Sequence, residues 1–292
     1  MRRRLLLLII FVLLLCRTGA AQNTVVFMTD FGVVDDSVTI CKGVMLSIDP
    51  TLRIIDITHQ VTPYSILDGA RFLAGTTPYF PAGTVFVVVI DPGVGSTRKA
   101  MVVKSKRGQF FVLPDNGLIT LVQDQDGIES AHEITNTSLM IGSKLSSTFH
   151  GRDIFSPVAA HLASGEDWTT VGPEMTTWVR LDIKPATLTA NGISGEVIAL
   201  DGPYGNIITN INADDFSKLE IERGTKIPIK LGPTTRIIPY VKTFSDVAVG
   251  QPLLYVDSRG HMALAINQGN FANAYHIKPP IPIEILKPTK SH

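Results

Sequence analysis

The chain has 292 residues, with 26 Lys and Arg against 26 Asp and Glu, 45% hydrophobic residues and two cysteines. This composition excludes a disordered, fibrous or collagen-like polymer, and the absence of net positive charge excludes an ordinary nucleic-acid partner. The length predicts one or two globular domains.

The zero balance is unevenly distributed. Arg2, Arg3 and Arg4 precede an unbroken apolar run from Leu5 to Leu15, followed by Cys16, Arg17 and the small residues Gly19, Ala20 and Ala21. A basic segment, an apolar segment and a small-residue cut site, in that order, predict a signal peptide over residues 1–21 and export to the periplasm or the exterior. The apolar run is shorter than the ~20 residues of a spanning helix, so no stable membrane span is expected. Lipidation of Cys16 is a competing reading, although Leu15 occupies the preceding position where a small residue is expected. Removing residues 1–21 takes away four arginines and no acid, leaving 22 basic and 26 acidic residues and a net charge of −4. Cys41 is then the only cysteine, so no internal disulfide is expected.

From residue 22 to about residue 178, β-rich apolar runs alternate with helical patterns, which predicts an α/β domain. The expected strands are Thr24 to Met28, Leu52 to Ile57, Thr84 to Ile90, Ala100 to Val103 and Phe110 to Leu113, and the expected helices are Ser37 to Ile48, Ile66 to Ala74 and Ile154 to Ala163. Several of these strands are continuously apolar, as in a central, largely parallel sheet covered on both faces. Residues 179–191 read as a linker. Short alternating runs then follow at Gly195 to Leu200, Asn206 to Ile211, Lys226 to Leu231, Pro252 to Val256 and Ile281 to Ile285, predicting a smaller all-β, barrel-like domain over residues 192–292.

Polar residues crowd the ends of the first-domain strands, where open α/β sheets place ligands. The first strand ends in Thr29-Asp30-Phe31-Gly32, and Asp35-Asp36-Ser37 opens the next helix. Asp36 or Ser37 could serve as an N-cap. Three carboxylates beside a helix start would repel phosphate but suit a ribose diol or a cation. The strand ending at Ile90 runs into Asp91-Pro92-Gly93-Val94-Gly95-Ser96-Thr97-Arg98. A turn alone accounts for the Pro-Gly pair, but not for a carboxylate delivered by an apolar strand with a guanidinium seven residues later. Phosphate-loop readings are weakened because the Lys-Ser/Thr pair is missing and a strand follows. In Thr148-Phe149-His150-Gly151-Arg152-Asp153, Gly151 permits close backbone approach, and a helix N-terminus beside His150 disfavours the imidazolium. His59, His132, His161 and His261 read as structural. No ligand spacing for a metal and no Gly-x-Ser-x-Gly elbow is present. In the second domain, Asp201 to Asn206 and Asp257 to Gly260 read as hairpin turns, and both also carry groups able to hold a zwitterion.

These clusters, in this order, resemble the S-adenosylmethionine (SAM) hydroxide adenosyltransferases, or SAM hydrolases, relatives of SAM-dependent fluorinating and chlorinating enzymes. The resemblance runs from about Thr24 to Leu286. It is most specific at Asp35-Asp36-Ser37 with Cys41-Lys42-Gly43, at Val89 to Arg98, at Pro114-Asp115-Asn116-Gly117 and at Thr148 to Phe155. It implies a water-activating triad of Asp91, Arg98 and His150, ribose hydroxyls on Asp30, and Tyr64 packing near sugar and sulfonium where the fluorinating relatives have tryptophan. It further implies that Asp35, Ser37, Asp201, Ser258 and Arg259 hold the methionine end and that Asn206 holds adenine with Tyr204 nearby. A homotrimer with inter-subunit sites, SAM and water as substrates, and no metal or other cofactor are also implied.

The halogenating relatives have tyrosine and threonine where this chain has Asp91 and Val94. A carboxylate at ~4 Å from a halide costs several kcal/mol at an effective dielectric of about 20, so the resemblance favours water as nucleophile. Attack at the ribose C5′ expels a neutral thioether from a sulfonium, which needs no general acid but does need an oriented, partly deprotonated water. The expected activity is therefore hydrolysis of SAM to adenosine and L-methionine. The competing readings are a halide-dependent adenosyltransferase and a non-catalytic periplasmic binding protein for adenosyl compounds.

Overall fold

The computed structural model describes residues 23–142 and 144–288, so the expected signal peptide over residues 1–21 lies outside the described residues. The chain divides into two compact units, Met1–Leu181 and Asp182–His292.

The first unit is built on a six-stranded sheet of order β2-β1-β3-β5-β4-β6. Its strands are β1 (Thr24–Thr29), β2 (Arg53–Thr58), β3 (Val85–Val89), β4 (Ala100–Ser105), β5 (Phe110–Pro114) and β6 (Ile128–Glu133). The ladders joining β2, β1, β3 and β5 are parallel, while β4 pairs antiparallel with both β5 and β6. The sheet is mixed because no helix separates β3 from β4 and a tight turn separates β4 from β5, and such short connections cannot cross over to a parallel neighbour.

The expected double-sided burial is present. Along β1, Val25 and Phe27 enter one apolar cluster, and Val26 and Met28 enter another on the opposite face. This is the period-two alternation of a strand with apolar side chains on both sides. Helices α1 (Ser37–Ile48) and α4 (Ser156–Ala163) supply Cys41, Met45 and Val158 to the first cluster, while α2 (Ile66–Thr76) and α3 (Thr120–Asp126) supply Leu73 and Val122 to the second. On that second face the rings of Phe86 and Phe111 stack 5.1 Å apart.

Two elements were not foreseen. Helix α3 spans seven residues, too few to display a 3.6-residue period, and β6 is a half-polar strand at the sheet edge. The helix expected at Ile154 is preceded by a π-turn over Gly151–Phe155 that continues directly into α4. The stretch read as a linker is also partly structured. Val179 donates to Asp115 at 2.7 Å and Leu181 to Thr120 at 2.9 Å within the first unit, whereas Thr187–Thr189 forms a short strand, β7, on the second.

The second unit is a nearly closed, barrel-like antiparallel sheet of order β11-β10-β14-β8-β9-β13-β12, with β7 attached to β8. Its remaining strands are β8 (Gly192–Asp201), β9 (Asn206–Asn212), β10 (Lys226–Leu231), β11 (Thr234–Pro239), β12 (Pro252–Val256), β13 (His261–Ile266) and β14 (Ile281–Leu286). A bridge between Tyr240 and Leu254 brings the two ends of the sheet together. Ile227, Ile229 and Leu231 of β10 alternate inward, with Ile283 and Ile285 of β14 in the same core. Strands β11 and β13 were missed: β11 is largely exposed, and β13 is a continuous apolar run rather than an alternating one.

Replacing Phe86 by alanine is expected to lower unfolding stability by about 3–5 kcal/mol through the cavity left against Phe111. Urea denaturation followed by tryptophan fluorescence measures this.

Candidate active site

Strands β1 and β3 are adjacent and parallel, with Thr29 in register with Val89. Asp30 and Asp91 therefore leave the sheet at the same carboxyl edge, where open α/β sheets collect ligands. Asp91 is held in place by its neighbours. The Asn116 side-chain amide donates to the carbonyl of Ile90 at 2.8 Å, and its own oxygen accepts from Leu118 at 3.3 Å. The motif Pro114 to Gly117 thus acts from β5 on the exit of β3.

The segment after Asp91 folds as two successive turns. Val94 donates to the Asp91 carbonyl at 3.2 Å and Ser96 to the Gly93 carbonyl at 3.1 Å. The Ser96 hydroxyl then accepts from the Arg98 backbone at 3.2 Å. This path returns Arg98 onto Asp91: Nε donates to Oδ1 at 3.0 Å and Nη2 to Oδ2 in a short contact. The Pro-Gly turn and the ion pair are one device. Only 5% of the Asp91 side chain and 9% of the Arg98 side chain are exposed, so loss of either partner would strand a nearly dry charge, at a cost of about 3–5 kcal/mol.

His150 completes this group. Its Nδ1 lies 3.3 Å from Arg98 Nη2, and the Arg98 guanidinium sits over the Phe155 ring, 5.4 Å from its centre. The two loops meet at Gly95, which has φ +78° and where a Cβ atom would lie 2.4 Å from the Ser147 carbonyl oxygen. Only glycine fits there. At Gly151, the close approach expected from sequence is to the Phe31 ring, whose Cζ would be 2.8 Å from an added Cβ. Asp153, buried in the same π-turn, accepts from Ser146 at 2.7 Å and from Arg152 at 2.5 Å. Burial alone would raise its pKa, but these bonds outweigh it and hold the carboxyl below its ordinary value. The His150 pKa is lowered, chiefly by burial and then by the Arg98 charge, two causes that differ from the helix N-terminus expected from sequence.

Asp30 Oδ2 accepts the backbone N–H of Tyr64 at 2.9 Å. Tyr64 adopts a left-handed conformation with φ +66° and is 75% exposed. Asp35 Oδ1 accepts the Ser37 N–H at 3.0 Å. Asp36 occupies the N-cap position of α1, one of the two placements expected, but its side chain makes no cap bond. The buried Asp68 was overlooked. It accepts from Thr62 at 2.8 Å and from Arg71 at 2.9 Å, anchoring the loop that carries Tyr64.

In the second unit, Asp201, Tyr204 and Asn206 lie on the β8–β9 turn. Asn206 donates to Asp201 at 3.3 Å, Tyr204 is exposed and Asn206 is buried. Ser258 and Arg259 lie on the β12–β13 turn, where Asp257 accepts from the Arg259 and His261 backbone. Pairing of β9 with β13 places His261 opposite Asn212 and Leu264 opposite Ile207, so the two turns are at opposite ends of that ladder. Both turns nevertheless act on Tyr255, whose hydroxyl pKa is raised first by burial and then by the charges of Asp201 and Asp257. Among the described residues, no group of three or more His, Cys, Asp or Glu is placed to hold a metal ion, and no helix is long and apolar enough to cross a membrane.

Residues 25–172 match the family model of the SAM hydroxide adenosyltransferase N-terminal domain, and residues 195–284 match that of the C-terminal domain. The chain is 39% identical to an (R)-S-adenosyl-L-methionine hydrolase of Salinispora tropica, over 87% of this chain and 94% of that protein. It is 34% identical to a fluorinase of Actinoplanes sp. (strain N902-109), over 90% and 97% respectively. A solved structure of an uncharacterized conserved protein from Thermotoga maritima superimposes with a TM-score of 0.85 at 37% identity, covering 90% of this chain and 99% of that one.

The Arg98 charge lowers the His150 pKa, so Arg98→Met is expected to raise it. An NMR titration of the His150 ring in both proteins measures the shift; an unchanged midpoint would contradict the coupling.

Proposed function

Because the chain belongs to the SAM hydroxide adenosyltransferase family, we propose that it hydrolyses SAM to adenosine and L-methionine. The observation that carries this reading is the Asp91 carboxylate, clamped by Arg98 with His150 at its edge. That group can order a water and take up its proton, but it disfavours a halide, which would face the carboxylate at close range. Val94 adds no hydroxyl donor for an anion. Relatives named as hydrolase and as fluorinase both occur, so the choice rests on these residues.

In the proposed reaction, a water oxygen bonds to the ribose C5′ while the C5′–S bond breaks, and its electron pair goes to sulfur. The sulfonium becomes the neutral thioether of methionine, and the water proton passes to His150 or Asp91. His150 is suited to this because its lowered pKa keeps the ring neutral. Asp30 would accept from the ribose hydroxyls with Tyr64 beside the sugar, and Asp35 and Ser37 would meet the methionine end. Asp201, Tyr204, Asn206, Ser258 and Arg259 would be contributed by a neighbouring subunit of a trimer. No metal or other cofactor enters the scheme. Export directed by residues 1–21, to the periplasm or exterior, belongs to the same proposal.

Purified protein is expected to release adenosine from SAM without added halide, and Asp91→Asn to slow release by at least about 100-fold, the lower end of general-base effects. Chromatography of the products with and without chloride decides the nucleophile: 5′-chloro-5′-deoxyadenosine would favour the halide reading, and SAM binding without product would favour a binding protein. Shared sites predict that co-expressed Asp91→Asn and Arg259→Ala chains form mixed oligomers more active than either variant alone. No recovery in verified mixed oligomers would contradict them.

A further inference from the structure

His59 was read from sequence as a structural histidine, and the proposed chemistry leaves it unused. It follows β2 directly, is buried, and lies against the Phe27 ring at 4.8 Å. Its Nδ1 is 2.9 Å from the hydroxyl of the fully buried Thr29. Its Nε2 faces Asp56 Oδ1 at 3.2 Å, without the alignment of a regular hydrogen bond, and Asp56 Oδ2 accepts from Lys42 at 2.6 Å.

The charge beside Nε2 favours one polarity for this chain. Lys42 donates to Asp56, and the carboxylate 3.2 Å from Nε2 electrostatically favours the tautomer with the ring proton on Nε2 and Nδ1 bare. The Thr29 hydroxyl must then donate to Nδ1, which leaves its oxygen to accept from the Phe31 N–H at 3.2 Å. The His59 carbonyl accepts from the Gly32 N–H at 2.7 Å. Two backbone donors immediately after Asp30 are therefore tied to His59, one through Thr29 and one directly. Asp30 spends Oδ2 on Tyr64, and among the described residues its Oδ1 has no protein partner.

We propose that His59 is a positioning residue that, through Thr29, aims the Asp30 carboxylate at the ribose hydroxyls. The Gly32 bond is made by the main chain whatever residue stands at 59, but a histidine that merely fills the core would need no bond to Thr29, whose oxygen also receives the Phe31 N–H. The inference rests on the ribose assignment of Asp30 made above.

The test compares calorimetric binding of adenosine with that of 2′,3′-dideoxyadenosine, which lacks the diol. The wild-type protein is expected to prefer adenosine, and Asp30→Ala to lose that preference. His59→Gln, which moves the amide away from the Nδ1 position, and the near-isosteric Thr29→Val are expected to reduce the preference by about tenfold. Both should raise the KM for SAM with little change in kcat. His59→Asn places an amide oxygen near the Nδ1 position and should retain most of the preference. An unchanged preference in folded Thr29→Val and His59→Gln overturns the proposal, as does an equal loss in His59→Asn. Should His59→Gln fail to fold, Thr29→Val decides alone. If the wild type shows no preference, or Asp30→Ala keeps it, the ribose assignment itself has failed and the positioning role falls with it.

Discussion

Asp91 and Arg98 hold opposite charges almost out of water, and each is tolerable there only because the other is present. This constraint organises much of the first unit. Asp91 is fixed by the strand before it, so Arg98 must return within seven residues, which the double turn from Asp91 to Ser96 accomplishes. The guanidinium then needs a surface to lie on and a neighbour that does not add positive charge. Phe155 supplies the surface, and a histidine biased toward its neutral form supplies the neighbour.

The sheet provides the rigidity that such a pair requires. Strand β3 is buried along its whole length between two apolar layers, so its end is held by packing rather than by the loop that follows. Asn116 adds a bond from the neighbouring strand, and Gly95 allows the Asp91 loop to touch the chain leading to His150. On the other side, the turn after β1 carries Asp30 and places Phe31 against Gly151. One short turn thus supports two parts of the candidate site. The second unit uses a different logic, with its candidate binding residues on hairpin turns of a barrel-like sheet.

Much of this was legible in the residue order. Continuous apolar strands announced a sheet covered on both faces, and a carboxylate with a guanidinium seven residues later marked the end of one strand as more than a turn, although their pairing appeared only in the structure. The second, β-rich unit was evident from its alternating runs. Other features were not legible, for identifiable reasons. Helix α3 has about two turns, too few to display the helical period, and β13 lacks the alternation by which the strands of the second unit were recognised. Asp35 rather than Asp36 holds the start of α1 because cap geometry depends on backbone angles that three adjacent polar residues do not disclose. The π-turn before α4 has no distinct composition.

Sequence by itself determined what each segment could bury and which charged groups stood at strand ends, because both follow from local periodicity and residue type. Tertiary structure alone decided which of those groups meet. His59 and Thr29 are thirty residues apart and Asn116 reaches a carbonyl twenty-six residues away, and such contacts exist only once parallel strands are set side by side. Burial then decided the chemistry of the groups so assembled, lowering the His150 pKa and leaving Asp91 and Arg98 dependent on each other.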